Sequence, residues 1–220
     1  MADSKISALS AITSLADTDE MVVASSGASK KITGLNLKAS MPGTGGGGGV
    51  GALLYSHVLA TDTASIDTGA GGIAGGYNIL EAFIVVQTTD AAAQGNFLNI
   101  TVNNDTGANY DRQVIGAQGS GFSAGAAVAQ SVWLTQVHGA SGSAGYPSMV
   151  SITIPDYTGT AFNKVGVQQV LIPDGTSGNL VVGFLVLGYR STSAITRMAV
   201  SAATGGKNLK AGSAMYIYGR

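Results

Sequence analysis

The sequence predicts an all-β chain: an antiparallel β-sandwich, most simply jelly-roll-like, preceded by a small N-terminal hairpin module and a Gly-rich tether. Three observations carry this. Apolar residues recur with a period of two through most of the chain. Runs rich in Gly, Asn and Asp separate those periodic stretches. The run Gly43–Gly51, Gly-Thr-Gly-Gly-Gly-Gly-Gly-Val-Gly, divides about forty residues, too few for a core of their own, from about 170 that can share one. Glycine loses more backbone entropy on ordering than any other residue and packs nothing, so residues 43–52 are expected to act as a flexible linker between a module at 1–42 and a sandwich domain at 53–220.

In the N-terminal module, Ile6, Leu9 and Ile12 are spaced for one helical face, but intervening serines leave an extended segment equally open. Met21-Val22-Val23-Ala24 has strand character and Ser25–Ser29 is a turn. Lys30-Lys31-Ile32-Thr33 can return as the second strand of a hairpin, which sets the lysines near the acidic cluster Asp17–Glu20. Thr33 is placed to cap a short helix over Leu35–Ala39, closed by Pro42. A lone hairpin is marginal in water, so this module is expected to gain order against a partner.

In the larger part, Leu54–Leu59, Asn78–Gln87, Phe97–Val102, Met149–Ile154, Ala161–Ile172, Leu180–Tyr189, Ala194–Val200 and Ser213–Tyr218 read as strands. Val150, Ile152 and Ile154 alternate with Met149, Ser151 and Thr153, so one side of that strand is buried. Leu180–Tyr189 is apolar on both sides except at Gly183 and Gly188, which marks a central strand or one covered by a neighbouring subunit. Asp67–Gly72, Asn103–Asn109, Gly116–Gly125 and Pro173-Asp174-Gly175 read as turns, and Ala124–Gln130 as a short helical turn or a tightly packed edge. Roughly eight strands with polar turns and almost no helical period define the sandwich.

Composition narrows the function. Charged residues are 10% of the chain and there are 33 glycines, against roughly 25% charged and 7% glycine in ordinary soluble proteins. A net charge of −1 supplies no field for nucleic acid or an anionic membrane. Little charge repels one copy from another, which favours packed assembly. Absent cysteine removes disulfides and thiolate chemistry. The opening Met-Ala-Asp-Ser-Lys is not followed by an apolar region, so no signal peptide is expected, and Leu180–Tyr189 falls short of the roughly 20 residues of a spanning helix.

Several constellations invite a catalytic or ligand-binding reading. Asp-Thr-Gly-Ala occurs at Asp67–Ala70 and Asp105–Ala108, and two such loops can pair carboxylates as in aspartic proteases. Asp105, however, follows two asparagines rather than an apolar strand, and Asp-Thr-Gly is good turn chemistry, which is the favoured reading. Asn103, Asn104, Asp105, Asn109 and Asp111 form the densest oxygen cluster. An Asx-rich turn is expected there, with a loop-bound Ca²⁺ as the alternative, because the spacing lacks the terminal Glu of an EF-hand. His57 and His138 are the only histidines and, without cysteine, make no standard structural zinc site. The glycine run has neither the Lys nor the hydroxyl of a phosphate loop. No enzyme activity, metal or cofactor is expected. Trp133, Tyr146 and Tyr157 lie in or beside long loops and are the weak choice for a receptor-binding surface, the alternative being that Trp133 packs under the sandwich rim. Tyr216 and Tyr218 share a strand face at a subunit contact or the core.

Two segments carry a resemblance. Lys5–Leu9, Leu15–Val23 and Lys30-Lys31-Ile32-Thr33-Gly34 resemble the short N-terminal module of many tailed-bacteriophage fibre and tail proteins, with Ser10 where that family often has proline. The resemblance implies attachment to capsid or tail proteins of the virion through residues 1–42, with Ile6, Leu9, Met21, Val23 and Ile32 as contact residues. Downstream, Asn103–Asp111, Ser193–Arg197 and Gly212–Gly219 resemble, in that order, segments of a recurrent β-rich domain of phage virion proteins. It implies a fibre, spike or decoration protein of the virion, commonly a homotrimer, assembled in the host cytoplasm. The expected function is a fibre or spike displaying a trimeric head to a host-surface glycan or protein. The alternative is a capsid decoration, cement or head-fibre protein that stabilises other virion subunits.

Overall fold

The computed structural model describes the backbone of residues 20–25 and 28–33, and in full residues 51–91, 96–141, 146–173 and 180–220. The chain divides into two compact units, Met1–Val50 and Gly51–Arg220. In the first, β1 (Glu20–Ser25) and β2 (Ala28–Thr33) pair as an antiparallel hairpin in which Met21 opposes Ile32 and Val23 opposes Lys30. Thr33, expected as a helix cap, is the last residue of β2, opposite Glu20; Ile6, Leu9, the expected helix over Leu35–Ala39 and the tether up to Val50 lie outside the described residues.

The second unit is a sandwich of two antiparallel sheets. The larger runs β3 (Ala52–Val58), β14 (Ala214–Gly219), β5 (Ile79–Val86), β10 (Ser148–Pro155), β11 (Lys164–Pro173), β12 (Leu180–Tyr189), β7 (Tyr110–Gln118), β8 (Gly121–Gln130). The smaller runs β4 (Ser65–Asp67), β13 (Met198–Ala202), β6 (Asn96–Val102), β9 (Trp133–Val137). Among the described residues there is no helix, and none therefore long and apolar enough to cross a membrane. Ile84, Ile152, Leu185 and Ile217 of the large sheet meet Leu98, Ile100, Val137 and Val200 of the small sheet in one core. Trp133 stands edge-on to Tyr110 at 5.3 Å between ring centres, and Tyr110 lies 5.1 Å from Tyr189, so an aromatic cluster bridges the sheets.

Four strands fall outside the stretches that periodicity marks, and a fifth begins late. β4 and β9 are short, β7 starts in a stretch with no sequence reading, and its end and β8 occupy the region read as a turn with a helical or edge segment after it. The turn is in fact only Gly119-Ser120, between Gln118 and Gly121, which pair across a hairpin; Gly119 takes φ 56°, open to glycine without strain. Ala124–Gln130 is an edge strand, but it is largely exposed rather than tightly packed. The expected strand at Ala194–Val200 begins only at Met198, because the residues before it hydrogen-bond to loops: Ile195 donates to Tyr157 O and Ile73 to Thr196 O.

Candidate functional site

The two sheets are unequal, and this decides where a site can lie. The small sheet covers one side of the large sheet, and among the described residues of the unit none covers the other. On β12, Val181, Leu185, Leu187 and Tyr189 are buried, whereas Leu180, Val182, Phe184 and Val186 between them are exposed. On β11, Val170 and Ile172 are buried and Val165, Val167 and Leu171 exposed. Register lines the exposed residues up across the sheet. Val85, Met149, Leu171, Val182, Ala117 and Phe122 stand abreast on β5, β10, β11, β12, β7 and β8, all apolar. The adjacent row is Phe83, Ser151, Gln169, Phe184, Ile115 and Ala124. Phe122 is 87% exposed and Ile115 61%.

Charge is confined to the margins of this face. Glu81 pairs with Arg220 at 3.1 Å, and Asp111 takes a two-pronged contact from Arg190 at 2.7 and 2.8 Å. Arg190 holds the Asp111 carboxyl below the usual carboxylate range, with the Ala129 N–H assisting. Such a surface is dominated by aliphatic and aromatic side chains. It can exclude water against another apolar surface, and contiguous exposed apolar patches of this kind mark interaction sites.

The residues chosen as a receptor surface separate. Trp133 is 1% exposed: it opens β9, points between the sheets and donates its indole N–H to Gly188 O at 2.9 Å. Tyr157 is fully buried, turned inward behind Asp156, which has φ 51°, and its hydroxyl donates to Ala74 O. Neither presents a surface to a receptor. Both sit beside turns in the sequence, and only the packing of the two sheets shows that they are core anchors. Tyr146, 57% exposed, remains at the surface. Tyr216 and Tyr218 are half-buried at the β14 end of the outer face, with Tyr218 edge-on to Phe83.

The Asx-rich turn is held by its own donors. Asp105 Oδ1 accepts from Gly107 N at 2.7 Å, and Oδ2 from Asn109 Nδ2 at 2.8 Å and the Tyr189 hydroxyl at 2.9 Å. The Gly107 N–H is the largest influence holding the Asp105 carboxyl low. Asn103 and Asn104 take φ of 53° and 55°, which Asn tolerates better than most residues. The Asn103 side chain reaches Ala194 O at 2.8 Å and accepts from Thr196 N at 2.9 Å. Two of the segments that carry the phage resemblance, Asn103–Asp111 and Ser193–Arg197, are therefore knotted together. At the other Asp-Thr-Gly, Asp67 Oδ1 accepts from Gly69 N at 2.8 Å and the carboxylate pairs with Arg197, which keeps it ionised. Each carboxylate serves a turn, not a shared proton.

Sequence reading overlooked Gly121-Phe122-Ser123-Ala124-Gly125, which has the spacing of a nucleophile elbow. That motif needs a sharp strand-to-helix turn; here it lies extended within β8. His57 is exposed beside Tyr55, while His138 is buried, its ring nitrogen Nε2 against Pro173 O and its backbone N–H donating to Ser148 Oγ at 2.8 Å. A cleft of about 200 Å³, lined by Arg112, Thr135 and Gln136 among others, opens where β9 overlies β7 and β12. It is smaller than the roughly 300–1,000 Å³ of ordinary small-molecule pockets. The Arg112 guanidinium lies partly within it and donates to Leu134 O on the free edge of β9. Compared with protein-family models, with curated proteins and with solved structures, the chain matches none.

Proposed function

We propose that this chain is a structural protein of a tailed-phage virion, attached through residues 1–42 and displaying its sandwich domain in several copies, as a trimer in the fibre or spike form. The observation that carries the reading is the uncovered apolar face of the large sheet, a surface built to pack against protein. The virion assignment draws its support from the resemblance of Lys5–Gly34 and of the three body segments to phage virion proteins. Display in several copies turns weak single contacts into avid ones.

Two forms of this function are in play. A receptor-binding fibre or spike needs an exposed recognition surface for a host glycan or protein, and burial of Trp133 and Tyr157 weakens the aromatic platform for it. A decoration or cement protein needs no such platform, which is support for the second form. Particles with and without the protein, compared for infectivity and for shell stability to heat, test both. Loss of adsorption with a stable shell supports the fibre, and loss of shell stability supports the cement. Absence of the chain from purified particles by mass spectrometry overturns the proposal.

A further inference from the structure

We infer that the outer face of the large sheet packs against the same face of another copy of this chain. The inference deepens the proposal above by naming the partner and rests on reading that face as a protein-packing surface. It does not depend on where the assembly resides.

The argument for a second copy runs through charge, area and shape. A face chosen for a different protein is normally distinguished by complementary charge, which steers encounter and rejects wrong partners. Here the rows through Leu171 and Phe184 carry no charged side chain, and the marginal Glu81 and Asp111 are already paired within the chain. A surface of this kind is complementary to itself, because apolar rows meet apolar rows with no like charges brought together. The net charge of −1 adds almost no repulsion between copies. The six strands from β5 to β8 make the face about 24 Å wide, and the ten residues of β12 make it about 33 Å long, room enough for the roughly 800 Å² that each partner contributes to a standard interface. Antiparallel sheets stack face to face about 10 Å apart with interleaved side chains, which is how this chain already packs its own two sheets. Ser151, Thr153, Gln169 and Gln113 dilute the face enough to leave a folded, separable subunit rather than a continuation of the core.

Sedimentation or light scattering on the purified full-length chain tests this. A face stacked on itself closes as a pair, so a mass of twice 21.9 kDa at micromolar concentration is expected. Phe184→Glu and Val182→Lys, both on the exposed side of β12, are expected to weaken association at least 100-fold while the circular dichroism spectrum is kept. Phe162→Ser, in an exposed loop off the face, is expected to leave the mass unchanged. Should the charged variants unfold, Phe184→Gln and Val186→Thr, which keep strand propensity, are expected to weaken association at least tenfold. A monomeric wild-type chain overturns the inference, whether the face is then protected from hydrogen exchange by residues 1–50, binds phosphatidylcholine vesicles or stays open. So does an oligomer whose mass none of the face variants changes. A monomer that is nonetheless found in particles sinks the inference and leaves the virion proposal standing. An oligomer absent from particles does the reverse.

Discussion

The two sides of β12 are made of nearly the same kinds of residue and live in opposite surroundings. Along β12 the inward residues are Val181, Gly183, Leu185, Leu187 and Tyr189, and the outward ones Leu180, Val182, Phe184, Val186 and Gly188. Neither set is polar, yet one is buried against the small sheet and the other is uncovered. Next door, β10 sets Val150, Ile152 and Ile154 inward against Met149, Ser151 and Thr153 outward. The contrast teaches that polarity alternation reports solvent only where a strand faces water. Where it disappears, a second apolar contact is implied, and the described residues supply just one.

The largest expected effect breaks the equivalence of the two sides. Leu187→Ala, inside, should cost about 2–5 kcal/mol through lost burial and a cavity. Val186→Ala, its outward neighbour, should cost under about 1 kcal/mol in a monomer. Urea unfolding of both variants measures the difference, and equal losses would mean that both faces are covered.

A second test adds bulk on the inner side. A Cβ at Gly183 would lie 2.5 Å from Val170 Cγ1, so Gly183→Ala should cost about 1–3 kcal/mol by overpacking. Thermal unfolding reports it. An unchanged midpoint would mean that the Val170 side chain, its neighbour on β11, turns aside without cost.

A third change should stabilise. Gln168 is buried on the inner side of β11, and both its amide oxygen and nitrogen lack a hydrogen-bond partner among the described residues. Gln168→Leu should therefore raise stability by about 1–2 kcal/mol in denaturant unfolding. A loss instead would place an ordered water or polar partner at the amide.

The smallest effect concerns acid. Asp67, Asp105 and Asp111 all have carboxyls held below their ordinary range in the fold. The unfolded chain then binds more protons as pH falls below about 4, so the stability these groups contribute is present above that pH and is lost as pH falls through the folded values. Asp105→Asn should flatten the fall in melting temperature between about pH 4 and pH 2. A curve as steep as that of the wild type would remove Asp105 from the account.

Much of the fold was legible in advance. β5, β6, β10, β11, β12 and β14 coincide closely with stretches whose alternation or apolar density marks a strand, because burial on at least one side selects those residues. β7 and β8 were not, and the reason is chemical. β7 carries Asp111, Arg112 and Gln113, and β8 is glycine and alanine with Phe122 and Val128, so neither shows a period; pairing holds them, not propensity. The Gly119-Ser120 turn was the available signal. For the site, the doubly apolar character of Leu180–Tyr189 was visible in the sequence, whereas Trp133 and Tyr157 pointed the wrong way, since adjacency to a turn says nothing about which side of it faces the core.

By itself the sequence determined the all-β class, the Asx turns at Asp67 and Asp105 and the scarcity of charge, because period, turn chemistry and composition are local properties of the chain. Only the tertiary structure decided that the sheets are unequal, that the aromatic anchors are internal and that the exposed rows on β10, β11, β12 and β7 join into one face. Those outcomes depend on which distant strands pair and in what register, and a one-residue shift in any of those pairings would send the opposite set of side chains to the surface.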